Sequence, residues 1–243
     1  MVIITNSLGS NYTEADRKLA LKLLFRPWKW REGKEKEELR IAIIDGSHPS
    51  IVSLFMKGRQ AIEEALRQLN IVYGDEVIVQ AFTCVAVVEP ILNLGAVPIY
   101  ADMAPRSLNP TLENIKNVVS KKTKAVILQH TLGCVNPENK EIVKWCRQKN
   151  ITVIQDLAHA LGVPGFTVLF GQPVILSFSQ DKVFDGVSGG ALIAASGDQI
   201  KNAKCKVQNY RTIFIQLLYP LITYAIRSTY NLGLGKVIHF MAK

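Results

Sequence analysis

Hydrophobic and polar residues follow two alternating periods along residues 59–195, one typical of helices and one typical of buried strands. The segment 59–70 places Ile62, Leu66 and Leu69 on one face of a helix, with polar residues on the other. Short apolar runs of strand type follow it, separated by further helical patterns. The predicted helices cover residues 59–70, 83–94, 110–119 and 137–149, and the predicted strands cover 76–80, 96–100, 124–129, 151–155, 174–178 and 190–195.

This order of elements predicts the class of fold. Strands separated by helices of 10 to 13 residues favour right-handed crossovers. They therefore predict an α/β three-layer sandwich, in which helices cover both faces of a mainly parallel central sheet. Such sheets bind ligands at the carboxyl ends of their strands. We predict an α/β enzyme or ligand-binding domain, because polar residues follow the predicted strands at that edge: Asp102, Gln129, His130, Asp156, Ser177 and Ser179.

Composition fits one medium-sized globular domain, since 48% of the 243 residues are hydrophobic and 20% are charged. The formal charge of +9 would suit a nucleic-acid or membrane partner. However, residues 41–197 hold 13 basic and 13 acidic side chains, whereas residues 1–40 hold 9 and 6 and residues 198–243 hold 7 and 1. Any basic partner surface is therefore expected at the two ends of the chain.

Cysteine spacing and the amino-terminal segment bear on the compartment. The start, MVII followed by polar residues, lacks the basic and apolar pattern of a signal sequence, so we expect a cytoplasmic protein. The most apolar run, residues 212–226, has 15 residues, fewer than the ~20 that a membrane-spanning helix needs. The four cysteines are too widely spaced for a paired metal-binding or redox motif: Cys84, Cys134, Cys146 and Cys205. We therefore expect no metal site, and we expect the thiols to be buried in a protein of a reducing compartment.

Three features at the predicted edge suggest a cofactor. Gly58 begins a helix whose N–H groups would suit a phosphate, although a glycine at an ordinary loop-to-helix junction is an alternative. Lys182 follows a buried strand, where desolvation would make its amine a nucleophile, although a solvated loop lysine is an alternative. Asp156 would hold a pyridine nitrogen protonated. Pyridoxal 5′-phosphate requires these three contacts: an imine, a pyridinium partner and a phosphate cradle.

Five motifs carry a resemblance to a known family. The stretches GDEVIVQAFTCVAVVEPILNLGAVPIYADM, TKAVILQHTLGCV, VIQDLAHALG, FGQPVILSFSQDK and GGALIA resemble those of the DegT/DnrJ/EryC1/StrS family of sugar aminotransferases. The resemblance runs from about Phe55 to Ala195 and implies the large domain of a fold-type-I pyridoxal-phosphate transferase. By position, Lys182 resembles the lysine that forms the imine, and Asp156 resembles the partner of the pyridine nitrogen.

The resemblance implies further cofactor-binding residues. Ser177 corresponds to a serine that binds the phosphate, and His159 corresponds to a residue near the ring hydroxyl, with a buried structural histidine as the alternative. The segment Gly58, Arg59 and Gln60 corresponds to the small-residue loop at the start of the family's first helix, although Arg59 and Gln60 replace smaller residues. Cys84 stands where many relatives carry an aromatic residue that stacks on the ring.

The activity implied by the resemblance is transfer of an amino group from glutamate or glutamine to a keto group of a nucleotide-linked sugar. Members of the family act as homodimers, which makes a second copy the expected partner. An alternative is a catalytically silent or truncated relative that serves as a cofactor-binding or interaction module. This alternative is motivated by Cys84, by Arg59 and by a chain shorter than family members that carry a carboxyl-terminal small domain.

The chain divides into three predicted regions: a helical, basic flank at residues 1–54, the cofactor-binding domain at 55–197, and an apolar, basic helical tail at 198–243 in place of the small domain. In the flank, a helix at 13–25 precedes RPWKWR, whose aromatic and basic residues would suit a membrane surface or nucleic acid. We expect instead that its tryptophans pack on their own domain while the bases stay in water, and we expect no nucleic-acid binding. The tail helix at 213–226 is expected to meet a partner surface.

Overall fold

The computed structural model describes residues 12–31, 34–44, 50–163, 171–180, 182–195 and 209–230. The helices are α1 (Glu14–Leu24), α2 (Glu35–Ile44), α3 (Gly58–Gln68), α4 (Val85–Asn93), α5 (Leu112–Lys116), α6 (Asn139–Gln148) and α7 (Tyr210–Thr229), with short 3₁₀ turns at Pro27–Lys29 and Thr131–Gly133. The strands are β1 (Ser50–Phe55), β2 (Glu76–Gln80), β3 (Val97–Ala101), β4 (Thr123–Gln129), β5 (Thr152–Asp156), β6 (Val174–Ser177) and β7 (Gly190–Ala195).

The strands form one seven-stranded sheet in the order β1-β7-β6-β5-β4-β2-β3. Strands β2 to β6 pair in parallel, and β7 lies antiparallel between β6 and β1. The predicted mainly parallel sheet is therefore confirmed, and each predicted strand agrees with the structure to within one residue at either end. The sequence reasoning missed β1, and the predicted boundary at residue 54 falls inside this strand.

Alternate residues of the central strands face two separate hydrophobic cores, which gives the three layers. On one face, Val77, Val79 and Ile127 pack with the buried sides of α3 and α4. On the other face, Ile78 and Val126 pack with α5 and α6. Helix α3 fits this position because its buried residues recur at helical spacing along one side: Ala61, Ile62, Ala65 and Leu66.

The two ends of the chain pack against each other. Helices α1 and α7 lie side by side, with Ala20 of α1 and Ile226 of α7 buried. The Trp30 indole Nε1 donates to the carbonyl of Leu23 at 2.6 Å, and its ring lies 5.9 Å from that of Tyr210. The tail helix that was expected to meet a partner thus packs, along one side, on the amino-terminal helix of the same chain. No helix in the described part of the chain is both long and apolar enough to cross a membrane.

The expectation of four buried thiols is wrong for two of them. Cys84 and Cys134 are exposed, because each lies in a loop at the edge of the sheet rather than inside an element. Cys146 lies on the buried side of α6, and burial raises the pKa of its thiol to about 12. Cys205 lies outside the described residues. Among those residues, no cluster of three or more metal-ligating side chains occurs.

Candidate active site

A cavity of about 520 Å³ opens at the carboxyl ends of β4, β5 and β6. The parallel register places the last residues of β4 and β5, Gln129 and Asp156, side by side at this edge. Seven of the eight residues predicted for the site line the cavity: Gly58, Arg59, Cys84, Asp156, His159, Ser177 and Lys182. Among the strand-end residues, Gln129, His130 and Ser179 also line it, whereas Asp102 does not.

Asp156 is the buried acid of the cavity, with only 4% of its surface exposed. Burial raises the pKa of its carboxyl above the ordinary value, because a charged carboxylate loses its hydration there. Three groups partly offset this rise of the pKa: the backbone N–H of Ala158, the charge of Lys182 and the side chain of Gln129. The N–H of Ala158 donates to Asp156 Oδ1 at 3.0 Å. A cationic N–H group in the cavity would compensate the buried charge.

Lys182 and His159 meet across the cavity. The Lys182 Nζ lies 2.9 Å from Nε2 of His159, and the backbone N–H of Leu132 donates to the other ring nitrogen, Nδ1, at 3.4 Å. His159 is half-buried and faces the cavity, so its position differs from that of a structural histidine in a core. The amine of Lys182 is thereby held beside the His159 ring, in the cavity that Asp156 also lines.

The amino terminus of α3 forms a second part of the cavity, where it approaches β6 and β7 closely. A Cβ atom on Gly58 would lie 3.0 Å from Cβ and 3.2 Å from Oγ of Ser177. A Cβ atom on Gly190 would lie 2.6 Å from the backbone nitrogen of Gly58. The hydroxyls of Ser177 and Ser179 lie 3.0 Å apart beside this terminus. Helix N–H groups and hydroxyls in this arrangement suit an anion such as a phosphate.

The remaining predicted residues are placed differently. The Arg59 guanidinium pairs with the carboxylate of Glu89 on α4, so its charge is directed to that residue. Gln60 is exposed and does not line the cavity, and its backbone N–H donates to the Lys57 carbonyl at 3.1 Å. Cys84, the residue before the first turn of α4, lines the cavity.

A buried polar network supports the floor of the site. His130 is 1% exposed, and its Nε2 lies 2.8 Å from Oε1 of Gln155, whose Nε2 donates to Asn139 Oδ1 at 3.0 Å. The backbone N–H of Asn136 donates to His130 Nδ1 at 3.3 Å, which assigns the ring proton to Nε2. Burial lowers the pKa of His130, so the network holds a neutral imidazole.

One wall of the cavity was missed by the sequence reasoning. Helix α7 contributes Thr212, Ile215, Gln216 and Tyr219 to the lining. The hydrophobic pattern of this helix predicted its existence but not its neighbour, because pairing of two distant helices leaves no local signal. Gln180 and Ser188 were missed for a similar reason, since they lie in the irregular segments around Lys182.

The sequence of this chain is similar to those of known aminotransferases. The model of the DegT/DnrJ/EryC1/StrS aminotransferase family matches residues 12–210. A GDP-perosamine synthase of Vibrio cholerae is 32% identical over 186 residues, which are 75% of this chain and 49% of the relative. The dTDP-4-dehydro-2,3,6-trideoxy-D-glucose 4-aminotransferase of Saccharopolyspora spinosa is 32% identical over 162 residues, which are 65% of this chain and 42% of the relative. The chain thus spans about half the length of these relatives.

A solved structure shares the fold. A Streptococcus pneumoniae protein described as a sugar aminotransferase, solved in PLP and PMP forms, matches with TM-scores of 0.62 and 0.65. The two chains are 23% identical, and the match covers 86% of this chain and 55% of the other. The likeness confirms the predicted fold class.

Proposed function

This chain belongs to the DegT/DnrJ/EryC1/StrS aminotransferase family, and from that premise we propose that it is a pyridoxal-phosphate-dependent aminotransferase. The proposed reaction moves an amino group from glutamate or glutamine to a keto group of a nucleotide-linked sugar. One observation carries the proposal: a buried carboxylate, an amine and a helix amino terminus face the same cavity, as the three contacts of the cofactor require. The names of the two relatives, which contain a GDP-linked and a dTDP-linked sugar, support the substrate class.

The residues fit the cofactor. Gly58 leaves room between α3 and Ser177 that a Cβ atom would fill, so backbone N–H groups, Ser177 Oγ and Ser179 Oγ would hold the phosphate. Asp156 would hold the protonated ring nitrogen, which would compensate its buried charge. Cys84 lies on a wall of the cavity and would contact the ring in place of an aromatic side chain.

When bound, the cofactor would supply an electron sink for the charge that develops on the substrate carbon. Lys182 would provide the amine for covalent attachment and, as a free amine, the base that moves the proton. His159 holds the Lys182 Nζ at 2.9 Å and would orient it for that proton transfer. Asp156 would hold the ring nitrogen in its protonated form, and helix α7, which lines one wall of the cavity, would limit the access of water from that side.

The first experiment tests covalent attachment. Purified protein is incubated with pyridoxal 5′-phosphate, reduced with borohydride and digested, and the modified peptide is identified by mass spectrometry. We expect the adduct on Lys182 and its loss in Lys182→Ala. Lys149→Ala, which removes an exposed lysine at the far end of α6, is the matched control. An unchanged adduct pattern in Lys182→Ala would disprove the assignment.

The second experiment tests amino transfer. Protein loaded with the cofactor is mixed with ¹⁵N-labelled glutamate or glutamine, and transfer of label to the cofactor is followed by mass spectrometry. A dTDP- or GDP-linked keto sugar then serves as acceptor. Cofactor binding without label transfer would support the alternative of a silent binding module, which the matches to named aminotransferases do not favour. A homodimer remains part of the proposal, and analytical ultracentrifugation would test it.

A further inference from the structure

We propose that the end of α1 and the turn after it dock this protein on a membrane surface that carries anionic lipids. The basic aromatic surface consists of Lys22, Phe25, Arg26, Trp28 and Lys29. The proposal does not depend on the reaction proposed above, because none of these five residues lines the cavity.

The apolar part of the basic aromatic surface is open to solvent. Phe25 is 75% exposed and Trp28 is 63% exposed, and Leu21, one helical turn before Phe25, is 45% exposed. Trp30 behaves differently, since its indole donates to Leu23 and its ring packs on Tyr210 and Phe214 of α7. The expectation that the tryptophans pack on their own domain therefore holds for Trp30 and fails for Trp28. With Trp30 anchored, the turn presents Trp28 outward.

The charged part of the surface has one sign. Residues 17–31 contain six basic and no acidic side chains. Arg17 and Lys18 pair with Glu14 in the first turn of α1. The three bases of the surface are Lys22, Arg26 and Lys29. None of them forms an ion pair with any residue that the structure describes. The acidic first turn of α2 belongs to a helix that packs against β1.

This combination discriminates among possible partners. In a two-fold contact centred on this surface, the basic patch of one copy would face the basic patch of the other, and the repulsion would oppose association. Nucleic acid would pair with the bases, but an exposed aliphatic side chain such as Leu21 would contribute little to the binding of nucleic acid. An anionic lipid surface satisfies both parts, because the bases reach the phosphates while the aromatic rings enter the boundary between headgroups and acyl chains.

The position of the surface relative to the cavity gives the docking a consequence. Trp30, which anchors the turn, packs on Tyr210 and Phe214 at the start of α7. The neighbouring residues of the same helix, Thr212 and Ile215, line the cavity. The basic aromatic surface and the cavity thus adjoin the same stretch of α7, and docking would hold the cavity close to the lipid headgroups.

The test is co-sedimentation of the full chain with vesicles of phosphatidylcholine, alone or with about 30% phosphatidylglycerol, in about 0.1 M salt. We expect binding to the anionic vesicles and none to the neutral ones. Lys22→Gln, Arg26→Gln and Lys29→Gln together should weaken binding about 100-fold, since each base contributes roughly fivefold. Phe25→Ser with Trp28→Ser should weaken binding by about tenfold or more. All five side chains are exposed, so these variants should fold normally, which circular dichroism would check.

Two control variants carry matched changes elsewhere. Lys121→Gln, Lys122→Gln and Lys124→Gln remove three exposed bases near the amino-terminal end of β4, and Val72→Ser with Tyr73→Ser removes two exposed apolar side chains. We expect both controls to bind as the parent protein does. The proposal is overturned if the parent protein does not bind anionic vesicles, or if the controls lose as much binding as the surface variants. It is equally overturned if Phe25→Ser with Trp28→Ser dissociates a dimer, or if an oligonucleotide is bound while vesicles are not.

Discussion

Replacing Gly190 with alanine tests whether β7 holds the amino terminus of α3 in its binding position. The new Cβ atom would lie 2.6 Å from the backbone nitrogen and 2.7 Å from Cα of Gly58. Because such atoms prefer separations of about 3.5 Å or more, one backbone must move by roughly 1 Å. Gly190 pairs with Phe55 on one side and Ser177 on the other, so the sheet holds β7 and the helix terminus is the part that moves.

The displacement should reduce both stability and cofactor binding. Overpacking of this kind costs about 1 to 3 kcal/mol, which for a chain of this size lowers the melting temperature by roughly 3 to 10 °C. Losing one hydrogen bond from the helix terminus to a charged phosphate costs about 1.5 to 3 kcal/mol. We therefore expect the dissociation constant for pyridoxal 5′-phosphate to rise by about 10- to 100-fold.

The measurements are thermal unfolding and titration with the cofactor followed by absorbance. Gly186→Ala is the matched control, because its Cβ atom would come no closer than 3.3 Å, to Phe178, and would not contact α3. Gly58→Ala should give an intermediate loss of cofactor affinity, because its Cβ atom would come no closer than 3.0 Å, to the Ser177 side chain. This variant replaces Gly190→Ala in the test if Gly190→Ala does not fold. Normal cofactor affinity in Gly190→Ala, or an equal loss in Gly186→Ala, would refute the reasoning.

Three further predictions concern titratable groups. Asp156→Asn should lower affinity for the cofactor at least tenfold at unchanged fold, because the charge proposed to compensate the ring nitrogen would be lost. Titration with near-normal affinity would contradict that role. Burial lowers the pKa of His130 below its ordinary value, so the unfolded chain binds a proton that the folded chain resists. The free energy of unfolding should accordingly fall as the pH drops below about 6.5, by at most about 1.4 kcal/mol per pH unit from this group. Urea unfolding should show a shallower dependence of this free energy on pH in His130→Gln. An identical slope in the two proteins would contradict the prediction. Iodoacetamide at pH 8 should label Cys84 and Cys134 but not Cys146, whose thiol pKa burial raises to about 12. Peptide mapping should also show that the cofactor protects Cys84 from labelling. Labelling of Cys146 in the folded protein would contradict its burial.

Local pattern was enough to predict most of the sheet. A run such as Glu76–Gln80 is short, apolar and bounded by polar turns, so its strand state follows from its own residues. Strand β1 was missed because its sequence, SIVSLF, mixes polar and apolar residues without a clear period. It becomes a strand by pairing with β7, which lies more than 130 residues later in the chain.

The residues of the candidate site were also predicted only in part from the sequence. Asp156, Ser177 and Lys182 were predicted from their places after strands and from the family motifs, and the structure brings them to one cavity. Gln60 was predicted with its neighbours, yet it points away, because consecutive residues at the start of a helix face different directions. The pairing of Arg59 with Glu89 was not predicted, since it depends on how α3 and α4 pack.

The sequence by itself determined the α/β class, the parallel strands and the residues at their carboxyl ends, because hydrophobic period and motif order are written in neighbouring positions. Only the tertiary structure decided which residues meet across long distances: Gly190 against Gly58, α7 as a wall of the cavity, and Trp30 packed while Trp28 is exposed. The physical reason is that these contacts arise when separate elements exclude water together, and burial of that kind depends on the position of every neighbour.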